Sequence, residues 1–466
     1  MWRNDMSYGI GIIIVGFLHV LLKLEWKTTV ALAIFVFLII PFHQRLYRKS
    51  KKNEKAFYEV SLYLDTLLYS FVKEEKVLLA IQDVFFAMPP GEFKELVSKT
   101  LDYMNMAHDD VEVLDTGLNM IEKEYPCQRV KDVHQFMLHA EYYGGEIEKP
   151  VNILLADKGR WEQRVKQAME KRKKQFVDVI LSVVASLMIC GAIVYLPVGS
   201  MDISKEFLVQ LMTFIVIISD EIILYKAQKY ICVDWLKVSL TAEDAYYIKK
   251  MENYYSYDEK REKRLSIVLG VISLSFILIS IYFRNKWLAV LFMALTLFCF
   301  KQHQIGRALQ RKTLIKEIKY AFPKWLLDLV LILQSENVYM ALQKSLEHVP
   351  GVLRKEVQNL VERLEMEPES SVPYHLFLEE FHLPEIHSAM GVLYGLSIGN
   401  SANMDKQIGE LVEKNLALLD VAETELWRES SSGMIILFLL PVVVASFKLI
   451  VDMLFLMLYF VKIPVL

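Results

Sequence analysis

The apolar positions of this chain fall into two patterns, and the order in which the patterns alternate occurs twice. Unbroken apolar runs fill residues 8–24 and 28–42, a strip of Lys and Arg follows at 44–56, and a mixed stretch extends to residue 175. A second apolar pair fills 176–198 and 207–225. From residue 266 the order starts again, with apolar runs at 266–283 and 287–300, a basic strip at 301–319, a mixed stretch, and a final apolar run at 434–463. A helix needs about 20 mostly apolar residues to cross a bilayer, so each unbroken run predicts a membrane helix. The mixed stretches predict amphipathic helices, because Leu64, Leu67, Leu68 and Phe71 recur at helical spacing, as do Trp325, Leu329, Ile332 and Leu333. No stretch sustains the period-2 alternation of a strand.

The expected fold is therefore all-α: a polytopic membrane protein with two cytoplasmic helical bundles of about six helices each and about 7–8 transmembrane helices. Its divisions are an N-terminal hairpin (1–43), a first bundle (57–175), a hairpin (176–225), a linker (226–265), a third hairpin (266–300), a second bundle (317–432) and a C-terminal membrane segment (434–463). Pro441 and Lys448 interrupt the last segment, which is long for one span and short for two. It reads either as a tilted single helix or as a tight hairpin, and the hairpin that ends the first copy favours the second reading. The run at 8–24 lacks a strong basic region before it and a small-residue cleavage site after it, so it is expected to stay as an anchor.

The two copies superpose with a shift of 261 residues. Leu68 then meets Leu329, Ala80 meets Ala341, Gln82 meets Gln343, Pro89 meets Pro350, and Lys94-Glu95 meets Lys355-Glu356. Later, Tyr143-Gly144-Gly145 corresponds to Ile398-Gly399-Asn400, where Gly or Asn suits a left-handed helix cap. A longer loop around 105–126 in the first copy accounts for the changed offset. Internal repetition of this kind marks a tandem architecture.

Charge sets the orientation. Arg45, Arg48, Lys49, Lys51, Lys52 and Lys55 fill the first basic strip, residues 158–174 end in the run Lys171-Arg172-Lys173-Lys174, and residues 301–319 are also basic, while the opposite loops (23–27, 199–206, 284–286) are short. The positive-inside rule puts both bundles in the cytoplasm of a multi-pass cell-membrane protein. Charges inside the runs have bland readings. Asp178 sits at an interface, Asp220 and Glu221 lie near the end of their segment within reach of Lys226, and Lys448 and Asp452 form an i, i+4 pair. None of these builds an ion path from the sequence alone.

Composition narrows the chemistry. Apolar residues make up 54% and charged residues 23%, which fits a chain divided between lipid and water. A net charge of −3 with no basic, aromatic-laced face excludes nucleic acid as the expected partner. Four scattered cysteines form no C-x-x-C pair, so neither a disulfide framework nor a zinc site is expected. There is no phosphate-binding G-x-x-x-x-G-K-[ST] and no H-E-x-x-H, and no G-x-G-D or G-x-S-G motif lies in an apolar run. The histidines, His134 and His139 included, read as surface residues, and Asp109-Asp110 as solvated. No catalytic residue, cofactor or metal is expected.

The pattern L-x-x-L-L, then A-[IL]-Q, then Pro, then a late Gly-Gly or Gly-Asn before a membrane segment resembles the type II secretion system F domain. Leu64–Phe71, Ala80–Gln82, Pro89 and Gly144-Gly145 carry it first, and Trp325–Ile332, Ala341–Gln343, Pro350 and Gly399-Asn400 carry it again. Trp325 and Asp328 replace two of the leucines in the second copy. A membrane pair ahead of each domain is similar to the Tad pilus platform proteins, TadB and TadC, fused in one chain. The resemblance implies a platform protein of type II secretion, type IV pilus or Tad pilus assembly. Its implied partners are a hexameric secretion ATPase, pilin or pseudopilin subunits, other pilus assembly proteins, membrane lipid, and further copies of itself. The alternative is a secondary transporter built from a tandem repeat. The exposed turns at the bundle tips, Glu74 and Glu75 in the first copy and Gln334 and Glu336 in the second, are the expected partner contacts.

Overall fold

The computed structural model describes residues 2–105, 111–144, 146–195, 205–236, 244–282, 286–334, 336–399 and 404–462. Among them every regular element is a helix. Helix α1 (Trp2–Leu21) turns into α2 (Trp26–Glu74), which runs from the apolar segment through the basic strip into the first bundle without a break. The strip is rich in Lys and Arg and holds no Gly or Pro, so nothing in it stops a helix. The bundle continues with α3 (Val77–Ala87), α4 (Glu92–Asn105), α5 (Val111–Glu124) and α6 (Gln128–Tyr143). Helix α7 (Glu148–Val194) leads from the bundle back into an apolar run, and α8 (Phe207–Ile231) follows.

The second half repeats this order. After α9 (Asp244–Tyr255), the hairpin α10 (Glu259–Tyr282) and α11 (Lys286–Ile332) leads into α12 (Val338–Ser345), α13 (Arg354–Met366), α14 (Val372–Leu376), a 3₁₀ turn at Glu379–Phe381, and α15 (Pro384–Ile398). Helix α16 (Met404–Lys462) closes the chain. Burial repeats as well. Leu64 and its counterpart Trp325, Leu68 and Leu329, and Ala80 and Ala341 are all buried, while Gln82 and Gln343 are both exposed.

Two compact units result: Met1–Gly144 with Leu154–Val238 and Thr424–Leu466, and Gly145–Ile153 with Ser239–Glu423. Four helices are long and apolar enough to cross a membrane among the described residues, within Trp26–Glu74, Glu148–Ala192, Phe207–Ile231 and Lys406–Met457. Their outward surface is lipid-like, as is that of α1: Ile13 is 72% exposed, Phe17 62%, Val443 62% and Phe447 64%. A water-soluble protein does not expose so many contiguous apolar side chains.

The final segment is a single helix, not the favoured hairpin. Pro441 lies inside α16 without ending it. It removes one N–H and leaves the Leu437 carbonyl without its helical donor. Ser182 Oγ of α7 donates to the adjacent Phe438 carbonyl at 2.5 Å.

The caps also differ from expectation. Gly144 closes α6 with φ +72°, a conformation glycine adopts freely. Gly399 closes α15 in an extended conformation, φ −70°, so a left-handed cap is not used there. Gly145 and Asn400 lie outside the described residues, as do parts of the loops at 105–126, 199–206 and 284–286. The linker expected at 226–265 is mostly helical: α8 runs to Ile231, and α9 and the start of α10 fall within it.

In the first unit the bundle core is aromatic and contains ionisable groups. Trp161 packs edge-on to Phe57 at 5.0 Å, and Arg129 lies over Trp161 while forming a two-point pair with the buried Asp157, at 2.6 and 3.1 Å. Lys158 is 4% exposed and binds Asp65 and Glu162, and Ser61 and Lys166 also donate to Glu162. Burial works to raise the Glu162 carboxyl, but these hydrogen bonds outweigh it and hold it down at about 2.

His134 corrects the surface reading: it is 1% exposed, donating through Nδ1 to Glu122 at 2.8 Å and accepting at Nε2 from the Tyr63 hydroxyl at 2.7 Å. Burial pushes its pKa below the ordinary value, and Glu122 only partly opposes the shift. A histidine kept neutral in the fold stabilises it above the unfolded pKa. That contribution declines as pH falls below about 6.5, toward the lowered pKa of the folded state. Thermal unfolding from about pH 8 to about pH 5 therefore shows a stability decline that His134→Gln flattens, and the variant itself costs about 1–3 kcal/mol at neutral pH by leaving Tyr63 and Glu122 unpaired.

Candidate functional site

The polar groups that sequence reasoning set aside converge inside the first unit, where α7, α8 and α16 meet. Their contact faces are apolar. Cys190, Val216, Ile217 and Ala445 share one core with Leu18 and Leu22 of α1, and Val179, Ile223, Ala227, Met434 and Leu437 form a second. One helical turn from these residues on the same faces stand Ser186, Asp220 and Lys448. Ser186 Oγ donates to Asp220 Oδ2 at 3.0 Å, and Asp220 is 2% exposed. Lys448 Nζ donates to Asp452 Oδ2 at 2.5 Å, with both side chains 1% exposed. Cys190, one turn from Ser186 on α7, packs in the same apolar core as Ala445, one turn from Lys448 on α16.

The depth of the cluster is set by helix length. Because α8 continues to Ile231, Asp220 lies near its middle, about 16 Å from that end at 1.5 Å per residue. This corrects the expectation that it sits near the helix end and pairs with Lys226. The apolar run fixed by hydropathy stopped at residue 225, whereas the helix does not. The i, i+4 pairing of Lys448 with Asp452 is present as expected. Neither residue reaches water, however, since both side chains are 1% exposed.

Polar contacts brace the bundle on both sides of the cluster. On one side Gln210 of α8 holds the α1–α2 turn: its Oε1 accepts from Thr28 Oγ1 at 2.8 Å and from the Glu25 N–H at 3.1 Å, and its Nε2 donates to the Lys23 carbonyl at 3.1 Å. On the other, Arg172 is 3% exposed between Trp235 and Trp427, at 5.4 and 5.3 Å, and donates to the Tyr230 carbonyl at 2.7 Å. That carbonyl belongs to the last turn of α8, where a cation is favourable. Nearby, His43 of α2 pairs with Glu221 at 3.0 Å and also binds Gln228. Gly433 lets α16 pass Tyr230, since a Cβ there would sit 2.3 Å from the Tyr230 hydroxyl.

Chemically the centre is an ionic site in an apolar wall. Asp220, Lys448 and Asp452 together carry one negative charge in excess when all are ionised. Asp220 Oδ1 and Asp452 Oδ1 are fully buried and have no hydrogen-bond partner among the described residues. Buried carboxylates in such a setting are costly and mark function. No cluster of His, Cys, Asp and Glu among the described residues has the arrangement of a metal site.

The residues expected as partner contacts lie elsewhere. Glu74 ends α2 beside Lys73, Glu75 is exposed in the left-handed conformation with φ 52°, and the two are joined to α3 by a short turn. Glu336 accepts from Lys344, and Gln334 Nε2 reaches back to the Val330 carbonyl at 3.4 Å. Glu74 lies in the last turn of α2, and Glu75, Gln334 and Glu336 follow the last turn of a long helix, α2 or α11. Asp220, Lys448 and Asp452 were visible in the sequence as charges in apolar runs. Ser186 and Arg172 were not, because a serine in a span and an arginine in a basic strip carry no signal until the helices pack. Comparison with family models, with curated proteins and with solved structures finds no match for this chain.

Proposed function

We propose that this protein is a non-enzymatic membrane platform of a type II secretion, type IV or Tad pilus assembly machine, whose bundles face the cytoplasm and couple a secretion ATPase to pilin subunits. The observation that carries the reading is the continuity of α2, α7, α11 and α16, each of which runs unbroken between an apolar segment and a bundle. A helix of this kind transmits rotation or tilt applied to the bundle directly to the membrane segment, which a flexible linker would absorb. The repeated element order and the resemblance of both bundles to the F domain support the same reading.

Affinity capture of the full chain in detergent from cells that express it tests this. Co-purification of a hexameric ATPase and of small pilin-like proteins is the expected result, with Glu75→Lys weakening ATPase capture several-fold. Capture of neither partner overturns the reading. A four-residue Gly/Ser insertion after Ser50, inside the basic strip of α2, is expected to abolish filament assembly while leaving ATPase capture intact. Normal assembly by that variant would show that helix continuity is not the coupling element.

A second reading, a secondary transporter built from the tandem repeat, is favoured by one observation, the buried Asp220 and Lys448–Asp452 groups between apolar helices. Substrate-dependent uptake into proteoliposomes would establish it.

A further inference from the structure

We infer that the cluster formed by Asp220, Ser186, Cys190, Lys448 and Asp452 is an intramembrane proton-binding site, with the proton carried on the unpartnered oxygen of Asp220. The inference stands on geometry and charge count, and it holds for the platform and the transporter readings alike.

Lys448 is committed to Asp452, its i+4 neighbour on α16, and the two charges cancel. Asp220 is then left with a hydroxyl donor on one oxygen, from Ser186, and nothing on the other. The polar group that meets it is Ser186 of α7, while Lys448 and Asp452 stand on α16, which packs on the same core through Ala445. Glu221, next in sequence, is turned to His43 of α2 at 3.0 Å. The adjoining parts of α1 and α2 present Leu18, Leu22, Leu32 and Val36, which are apolar. Among the described residues of this shell, Lys448, the group of opposite sign, is already paired. One bound proton brings the cluster to neutrality and turns the orphaned oxygen into a hydroxyl. The site is too closed for anything larger to be held without moving a helix, since both free carboxylate oxygens are fully buried.

Binding needs no co-reactant: a proton from water adds to the Asp220 carboxylate, and release returns it. Because the three helices that enclose the cluster include α7 and α16, which both continue into a bundle, any motion that separates them wets Asp220 and releases the proton. The site therefore links proton exchange to helix packing.

The test is pH-dependent infrared difference spectroscopy on the full chain in liposomes. A protonated carboxyl gives a C=O stretch that ionised carboxylates lack and that shifts in deuterium oxide. The expected result is one such band at neutral pH, lost in Asp220→Asn, retained in Asp452→Asn, and shifted in frequency by Ser186→Ala, which removes the hydroxyl donor. Ser186→Ala is the conservative variant and keeps the assignment testable where Asp220→Asn fails to fold. Absence of any protonated-carboxyl band across the folded pH range overturns the proposal. So does a band abolished by Asp452→Asn but untouched by Asp220→Asn. Loss of the wild-type band on adding sodium at constant pH would instead identify a metal-cation site and equally overturn the proton assignment.

Discussion

Replacing Lys448 with methionine is expected to lower the unfolding free energy by about 3–5 kcal/mol, the usual cost of removing one partner from a buried ion pair. Lys448 and Asp452 are each 1% exposed, so the side chains have no aqueous refuge. With the ammonium gone, Asp452 loses its one charged partner while Asp220 remains in the same neighbourhood. The stabilising contribution of the pair itself is a separate quantity. The double variant Lys448→Met with Asp452→Leu removes both charges and fills similar volume, and replacement of this kind is often neutral or stabilising. Thermal unfolding in one detergent across the four members of this cycle gives both numbers. A single Lys448→Met as stable as the parent would mean that water reaches Asp452, and that α16 does not pack on α7 and α8 as described.

The same residues show where sequence reading works and where it stops. Apolar runs at 28–42, 176–198, 207–225 and 434–463 located four helices apolar enough to cross a membrane because hydropathy is local, and the shift of 261 residues is followed by burial at Leu64 and Trp325 and at Leu68 and Leu329. Periodicity could not show that α2 and α11 pass through their basic strips, since the strips carry no period of their own. The composition of the first strip does permit it, since no Gly or Pro interrupts residues 44–56, and in the second α11 passes through a single glycine, Gly306. Pro441 was weighed as a local breaker, yet α16 continues through it, and the hydroxyl bond one residue from the orphaned carbonyl comes from Ser182, far away in the chain. His134 is the same case. A histidine between Val133 and Gln135 says nothing of Tyr63 and Glu122, which come from two other helices. The partners of a polar side chain are tertiary facts, and the candidate site is built almost wholly of such partners.

The second large effect concerns a residue at which the two copies diverge. Trp325 stands where the first copy has Leu64, and Trp325→Ala is expected to destabilise the second unit by about 3–5 kcal/mol. The indole is 1% exposed, stacks on Phe377 at 5.8 Å and 24°, packs against Phe322 at 5.7 Å, and donates through Nε1 to Ser345 Oγ at 3.1 Å. Phe377 comes from the turn between α14 and the 3₁₀ segment, where the first copy has the full helix α5. The larger side chain therefore reaches a shorter connecting segment, and a leucine at 325 would leave the space beside Phe377 unfilled. Trp325→Leu, which restores the first copy's residue, is accordingly expected to cost about 2 kcal/mol, since it retains apolar contact but loses the ring pair, the Ser345 bond and part of the volume. The reciprocal change Leu64→Trp has no such gap to fill and is expected to cost about 1–3 kcal/mol by overpacking. Denaturant unfolding of the three variants, followed by tryptophan fluorescence, separates the cases. Equal tolerance of leucine and tryptophan at both positions would mean that the two bundles pack alike despite their different connections, and that the repeat has not specialised at this site.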